Sequence, residues 1–451
     1  MASRIEGFAG RQFEPGHDGY DEARRVYNGL IDRQPGLIAQ ATGADDVVAA
    51  IAAARAQGLE LSVKGGGHGV AGRALTDGGL MLDLSGLKAI DVDAGARTAT
   101  AGPGVNWGEL NEATQAHGLA VTGGVISTTG IAGLTLGGGL GWLMPRFGLA
   151  LDNLLSAEVV TADGRVLTAS DQENPDLFWA LRGGGGNFGV VTSFTYRLHE
   201  VGPMITGGLL VHPLPAAADL LRFYRDWTAG IPDELMAVAA LVDAPDGSGG
   251  KLGGVAVCHS GPPEQAQRDL APLLEFGTPA MVQIGPMPYT AINGMLDGGY
   301  PYGSLNYWKS SFLREVDEAA IDTMVETFRT CPSPMTAFGI EHFHGAATRV
   351  GVSETAVPHR EPGYNYLLTS VWTDPATSDE NEAWTRATYA AMEPHFVKRR
   401  YLNYLSADDG DVPGRAVYGD NYDRLTVLKG RYDPDNVFHL NQNIEARAES
   451  G

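Results

Sequence analysis

Residues 61–72 read LSVKGGGHGVAG. A short β-prone run ends at Lys64, three glycines follow, and then comes a single histidine, His68, with a further glycine behind it. Consecutive glycines strip Cβ atoms from the backbone, so peptide N–H groups can converge on an anion or a second backbone can approach closely. A loop of this kind after a strand is a candidate phosphate cradle, and the fold depends on which kind. A Walker loop needs Gly-Lys-Ser/Thr at the start of a helix; here Lys64 precedes the glycines, so that reading fails. A lone histidine in a turn is ordinarily a plain loop residue, so the rest of the chain has to discriminate.

Glycine is the unusual component, at 61 of 451 residues, nearly twice the usual share of about 7%. It concentrates at 65–72, 123–141 and 183–189 rather than in a low-complexity linker. The second cluster, GLTLGGGLGWL, fits the spacing of a dinucleotide fingerprint only loosely and lacks its strand–turn–helix context and acidic partner. Hydrophobic residues make up 43% and charged residues 19%, ordinary usage for a globular protein. The net charge of −22 repels polyanions, which argues against nucleic acid and anionic membrane surfaces as partners and leaves small neutral or cationic molecules open. Cys258 and Cys331 are too few for a disulfide framework or a thiolate metal cluster and read as small buried hydrophobes, so no metal site is expected. No apolar leader and no long apolar window is present, so a cytoplasmic location is expected.

The length points to two domains. Ala44–Gln57 has helical apolar spacing, acids in its first turn and Gly58 as a stop. LELSVK and GLMLDLSGL read as strands on either side of the glycine loop, VNWGELNEATQAHG as a helix, and AEVVTADGRVLTAS as a hairpin turning at Asp163-Gly164. Beyond Pro203 the pattern changes to longer strands separated by helices, including ELMAVAALVDA, KLGGVAVCHSG, TAFGIEHFHGAATRV and YNYLLTSVWTD. The expectation is an α+β fold with three parts: residues 1–203, then 204–400 with an antiparallel sheet covered by helices on one side, then a tail, 401–451, that returns to the first part.

Four stretches in order carry a family resemblance: VKGGGHGVAGRA, then GGVISTTGIAGLTLGGGLGWLMPRFGLALDNLLSAEVVTADG, then NPDLFWALRGGGGNFGVVTSF, and finally YLNYLSADDG with LKGRYDPDNVFHLNQNI. Together they resemble the flavin-linked oxidases of the vanillyl-alcohol-oxidase class, specifically the berberine-bridge-enzyme-like branch with its PCMH-type FAD-binding fold. The resemblance implies that FAD is held covalently through His68, with Gly65, Gly66, Gly67 and Gly69 offering amides to its pyrophosphate. It assigns the second loop (Gly124, Thr128, Thr129, Gly130, Gly133, Gly137, Gly138 and Gly141), Val191, and the tail residues Tyr401, Asn403 and Asn441 to the cofactor. Relatives that attach FAD twice use a cysteine where this chain has Ile126, so a single linkage is expected. Lys64 stands where arginine is usual; it keeps the charge but loses the bidentate fork.

For catalysis, the resemblance makes Tyr404 of YLNY the base that deprotonates substrate. With an ordinary pKa near 10, that role demands a neighbouring cation or donor. Read as an extended segment, YLNY puts Tyr401 and Asn403 on one face and Tyr404 on the other. Asn365 occupies the position where some relatives carry a glutamate base, and an amide cannot serve. Glu341, on the preceding strand, shares a face with Gly339 and Phe343 at period 2; it is either a pocket carboxylate with a raised pKa or a solvated side chain. His342 and His344 read as structural, and Lys309 as a minor candidate on a substrate-domain strand. A small residue at Thr129, where the family gates oxygen, favours O2 as acceptor. The expected function is an FAD oxidase of a small organic substrate. The alternatives are a dehydrogenase with another electron acceptor and a non-redox flavoprotein.

Overall fold

A computed structural model describes residues 4–245, 247–409 and 412–447. The strand before the first glycine loop, Leu61–Lys64, pairs in parallel with Leu80–Asp83, which pairs in parallel with Leu37–Gln40; Arg11–Phe13 closes this four-stranded sheet antiparallel. Helix Ala44–Gln57 covers it, ending at Gly58 with a φ of 62°, a backbone conformation that favours glycine. Near the start of that helix the buried Asp46 carboxylate accepts the N–H groups of Ala9, Gly10 and Thr42 at 2.7, 3.1 and 2.8 Å, fastening the N-terminal segment to the sheet. Burial alone would raise the Asp46 pKa; a hydrogen bond from the Thr42 hydroxyl at 2.7 Å, together with these three, more than offsets it and holds the carboxyl below its ordinary value.

A second, five-stranded antiparallel sheet runs Ile90–Asp93, Thr98–Ala101, Val190–Arg197, Leu154–Val160, Val166–Ser170 in spatial order. The hairpin read from DGR is present, with Gly164 at a φ of 81°. The first part is thus two small sheets joined around glycine loops, and its core gathers Trp107, Phe178, Phe188, Phe194 and Tyr196.

From Met204 onward the chain builds one eight-stranded antiparallel sheet, in the order 281–288, 204–213, 251–259, 235–243, 337–343, 363–372, 305–313, 396–397. Helices Ala217–Thr228, Pro263–Leu274, Glu318–Phe328 and Ser378–Met392 cover one face and share its core with Phe338, Ile340 and Tyr366. The other face is turned toward the glycine loops. The tail helix Tyr422–Tyr432 packs into the core of the first part through Leu425 and Leu428.

Two local readings need correction. TAFGIEHFHGAATRV is not one strand: pairing stops at Phe343, Gly345 takes a φ of 67°, and Ala346–Arg349 is helical. YLNY is not extended either; Leu402–Tyr404 forms a turn of 3-10 helix, because Tyr401 and Asn403 are pulled onto the second glycine loop.

Candidate functional site

Between the glycine loops and the bare face of the eight-stranded sheet lies a cavity of about 940 Å³. Gly65, Gly66, Gly67, His68 and Gly69 line it from one side, with Gly124, Thr129, Gly130 and Gly133 from the second loop. The two loops meet backbone to backbone. A Cβ on Gly66 would lie 2.6 Å from the Gly130 Cα, and one on Gly130 would lie 2.7 Å from the Gly66 Cα. At Gly69 and Gly133 an added Cβ would meet nothing within 4 Å, leaving open ground in the cavity. Val191 and Asn441 line the same space.

His68 stacks on Tyr27, with ring centroids 3.9 Å apart and planes 11° from parallel. Burial lowers its pKa to about 4, so the ring is neutral at physiological pH. Its buried Nε2 has no hydrogen-bond partner among the described residues. A neutral, oriented imidazole with a free nitrogen is a competent nucleophile.

Five residues assigned to the cofactor from sequence lie outside the cavity lining. The Lys64 ammonium turns beneath its loop, donating to the Ala23 carbonyl at 2.8 Å and lying 3.7 Å from the buried Asp83 carboxylate. Thr128 is exposed. Gly137, Gly138 and Gly141 are glycines for packing. A Cβ would strike the Asn403 amide oxygen at 2.0 Å, the Tyr401 ring at 2.8 Å and the Gly123 carbonyl at 1.7 Å respectively. Gly137 and Gly138 seat the returning tail: Gly139 N–H donates to the Tyr401 hydroxyl at 2.8 Å, and the Asn403 amide donates to the Leu134 carbonyl at 2.9 Å and the Tyr401 hydroxyl at 3.1 Å.

That seating delivers Tyr404 to the sheet. Its hydroxyl donates to Glu341 Oε1 at 3.4 Å, while the Asn365 amide donates to Glu341 Oε2 at 2.5 Å. Glu341 is 5% exposed, not solvated, and burial raises its pKa from 4.5 to about 7 even though both donors pull it down. Among the described residues no cation is paired with Tyr404. Burial first, then the Glu341 carboxylate, push the phenol well above its ordinary pKa, so it stays protonated and acts as a donor. The positive neighbour that a tyrosinate base requires is replaced by a carboxylate. Asn365 is buried completely and acts by holding Glu341.

The remaining candidates are structural here. Lys309 binds Asp408 and Asp409 at 2.8 and 2.9 Å, clasping the tail to its strand. His342 and His344 stack 4.2 Å apart, and both lie outside the cavity lining. Cys258 and Cys331 are free and buried. Sequence reasoning passed over Tyr300 and Trp308, which carry no local motif and reach the cavity through tertiary packing. It also passed over Arg73, for which a signal existed: it closes the GGGHGVAGR run. Arg73 lines the cavity and donates to Gln442 Oε1 at 3.0 Å.

The cavity suits a large anionic cofactor. It has a floor of bare amides, a cationic Arg73, and three polar atoms on lining residues without a partner among the described residues, His68 Nε2, Trp142 Nε1 and the Asn441 Oδ1. Glycine cradle, neutral imidazole and buried carboxylate in one cavity define the site of a flavin-dependent oxidoreductase. The comparisons with known proteins agree. Residues 35–170 match the family described as FAD binding domain, and residues 400–445 the family described as Berberine and berberine like. (R)-6-hydroxynicotine oxidase of Paenarthrobacter nicotinovorans is 30% identical over 97% of this chain and 96% of its own length. An FAD-linked oxidoreductase of Aspergillus ruber is 31% identical over 89% of this chain and 84% of its own. Among solved structures, 6-hydroxy-D-nicotine oxidase from Arthrobacter nicotinovorans has a TM-score of 0.89 at 30% identity, covering 99% of both chains. Physcomitrella patens BBE-like 1 has a TM-score of 0.88 at 25% identity, covering 98% of both. The chain belongs to the FAD-linked, berberine-bridge-like oxidoreductases, with their PCMH-type α+β fold and FAD as cofactor.

Proposed function

We propose that the protein is an FAD-dependent oxidase that carries its flavin through one covalent bond to His68 and oxidises a small organic molecule (an alcohol, amine, phenol or natural-product intermediate), with O2 as electron acceptor and H2O2 as product. Bound FAD supplies the hydride acceptor for a C–H next to the ionising O–H or N–H of the substrate. The chain supplies position and proton transfer. Glu341, with a pKa near 7, takes the proton from the substrate, because a carboxyl so tuned is half ionised at neutral pH and still basic enough to accept. Tyr404 and Asn365 orient that carboxyl and support its ionised form. His68 is supported as the tether by its neutrality and its stacking on Tyr27. Ile126, which also lines the cavity, has no nucleophilic atom, which supports a single bond. Thr129, a small side chain lining the cavity at the second glycine loop, supports O2 as the acceptor.

The observation that carries this reading is the pairing, in one cavity, of a neutral imidazole at the glycine cradle with a proton-accepting carboxyl on the facing sheet. Two measurements test it. Yellow colour that stays with acid-precipitated protein supports the tether; colour released to the supernatant removes it. Chemically reduced protein mixed with air-saturated buffer should reoxidise within seconds and yield one H2O2 per flavin. Reoxidation over hours assigns the electrons to another acceptor.

A further inference from the structure

We propose that the substrate is a flat, apolar, aromatic molecule bearing one O–H or N–H, and that it lies over a slot of small residues, Ala240, Gly339 and Ala337, with that group at Glu341. This rests on the function proposed above and adds the substrate class. The strand register defines the slot. On the cavity face of the sheet, Val238, Glu341 and Asn365 form one row; Ala240, Gly339 and Leu367 form the next; Ala337, Thr369 and Trp308 form the third. A Cβ on Gly339 would meet only the Leu367 carbonyl, at 3.7 Å, so the sheet backbone is bare beside the carboxyl. Trp308 bounds this ground, with Tyr404 and Tyr300 edge-on to it at centroid distances of 6.1 and 6.0 Å. Flat aromatic surface favours such edge-to-face walls.

Of the polar side-chain atoms in these rows, only the Asn365 Oδ1 lacks a hydrogen-bond partner among the described residues. The Tyr300 hydroxyl pairs with the Thr369 hydroxyl at 3.0 Å, Thr369 donates to the Ala337 carbonyl at 3.2 Å, and Tyr404 and Asn365 serve Glu341. A carbohydrate, with a hydroxyl on almost every carbon, would bury donors and acceptors without partners, a cost that rises with each one. A carboxylate ligand would face Glu341. Among the described lining residues the one Arg or Lys side chain is Arg73, which is held by Gln442. One ionisable group on an apolar plane uses everything this surface offers.

Binding is read on the FAD-containing protein by flavin difference spectra and, on the same samples, by thermal shift, with benzyl alcohol, naphthalenemethanol, benzylamine, cellobiose and benzoate as probes. Naphthalenemethanol should bind at least about tenfold more tightly than cellobiose or benzoate. Gly339→Leu should keep its FAD content and weaken naphthalenemethanol by at least about tenfold, with Gly339→Ala intermediate. Cellobiose or benzoate binding as tightly as the naphthalene compound overturns the proposal, as does Gly339→Leu or Gly339→Ala leaving that affinity unchanged in folded protein. FAD content separates the two readings. Protein that never holds flavin removes the oxidase function, and thermal shift still reports the slot; flavin-loaded protein that prefers the sugar removes only the substrate class.

Discussion

The Tyr404 hydroxyl donates to Glu341 Oε1 across 3.4 Å, and this contact reverses the roles that a tyrosine base would require. A carboxylate beside a phenol raises the phenol pKa, while the phenol stabilises the carboxylate, so the proton acceptor of the pair is Glu341.

The pH dependence follows. Turnover should rise with pH through an apparent pKa of about 7, the value to which burial raises Glu341. Glu341→Gln should abolish that limb and lower kcat/KM by roughly 10²–10⁴-fold at pH 8. Tyr404→Phe and Asn365→Leu each remove a donor that lowers the Glu341 pKa, so the limb should move to higher pH. Initial-rate profiles from pH 5 to 9 distinguish the three variants. A Tyr404→Phe profile identical to wild type removes the coupling.

Glu341 also affects stability. Its folded-state pKa lies above the ordinary 4.5, so the folded state holds the proton more tightly and loses stability as pH rises from about 4.5 through 7. Gln imitates the neutral acid. Its Tm advantage over wild type should therefore grow across that window and level off above it, as measured by melts at pH 5, 6, 7 and 8.

His68→Ala should fold and bind FAD reversibly while losing the tether, so that acid precipitation leaves a colourless pellet and a yellow supernatant. Intact-mass measurement of wild type and variant checks it: the flavin mass increment should vanish in the variant alone.

Gly130→Ala places a methyl 2.7 Å from the Gly66 Cα and 2.8 Å from its nitrogen, backbone atoms that cannot swing aside. A loss of about 1–3 kcal/mol is expected, together with reduced flavin content, because the strain falls on the cradle itself. Gly133→Ala, with open space around it, should retain the wild-type Tm.

Lys429 is fully buried and donates to Asp433 Oδ2 at 2.6 Å, the Asn187 carbonyl at 2.9 Å and the Phe438 carbonyl at 3.0 Å, joining the tail to the third glycine cluster. Lys429→Met leaves Asp433 buried without its cation, at a cost of about 3–5 kcal/mol. Denaturant unfolding should show that loss, and limited proteolysis should cut the tail faster.

Local chemistry was enough for the elements whose signals lie within a few residues. Helix Ala44–Gln57 came out at its observed bounds because apolar spacing, first-turn acids and a stop glycine are all local. The hairpin at Gly164 and the His68 loop were legible for the same reason: a turn or a bare backbone is written in consecutive residues. Other features depended on parts of the chain far apart in sequence. Gly137 and Gly138 looked like cofactor ligands, but they are bare because Asn403 and Tyr401 press on them from more than 250 residues away. Glu341 read slightly more readily as a solvated side chain; its burial, which raises its pKa to about 7, comes from tertiary packing, where the tail turn brings Tyr404 against the sheet and Asn365 pairs across the register. Backbone conformation is a short-range property that composition and spacing reveal. Desolvation and hydrogen-bond partnership belong to the packed whole, and they decided that Glu341, not Tyr404, is the better proton acceptor of the pair.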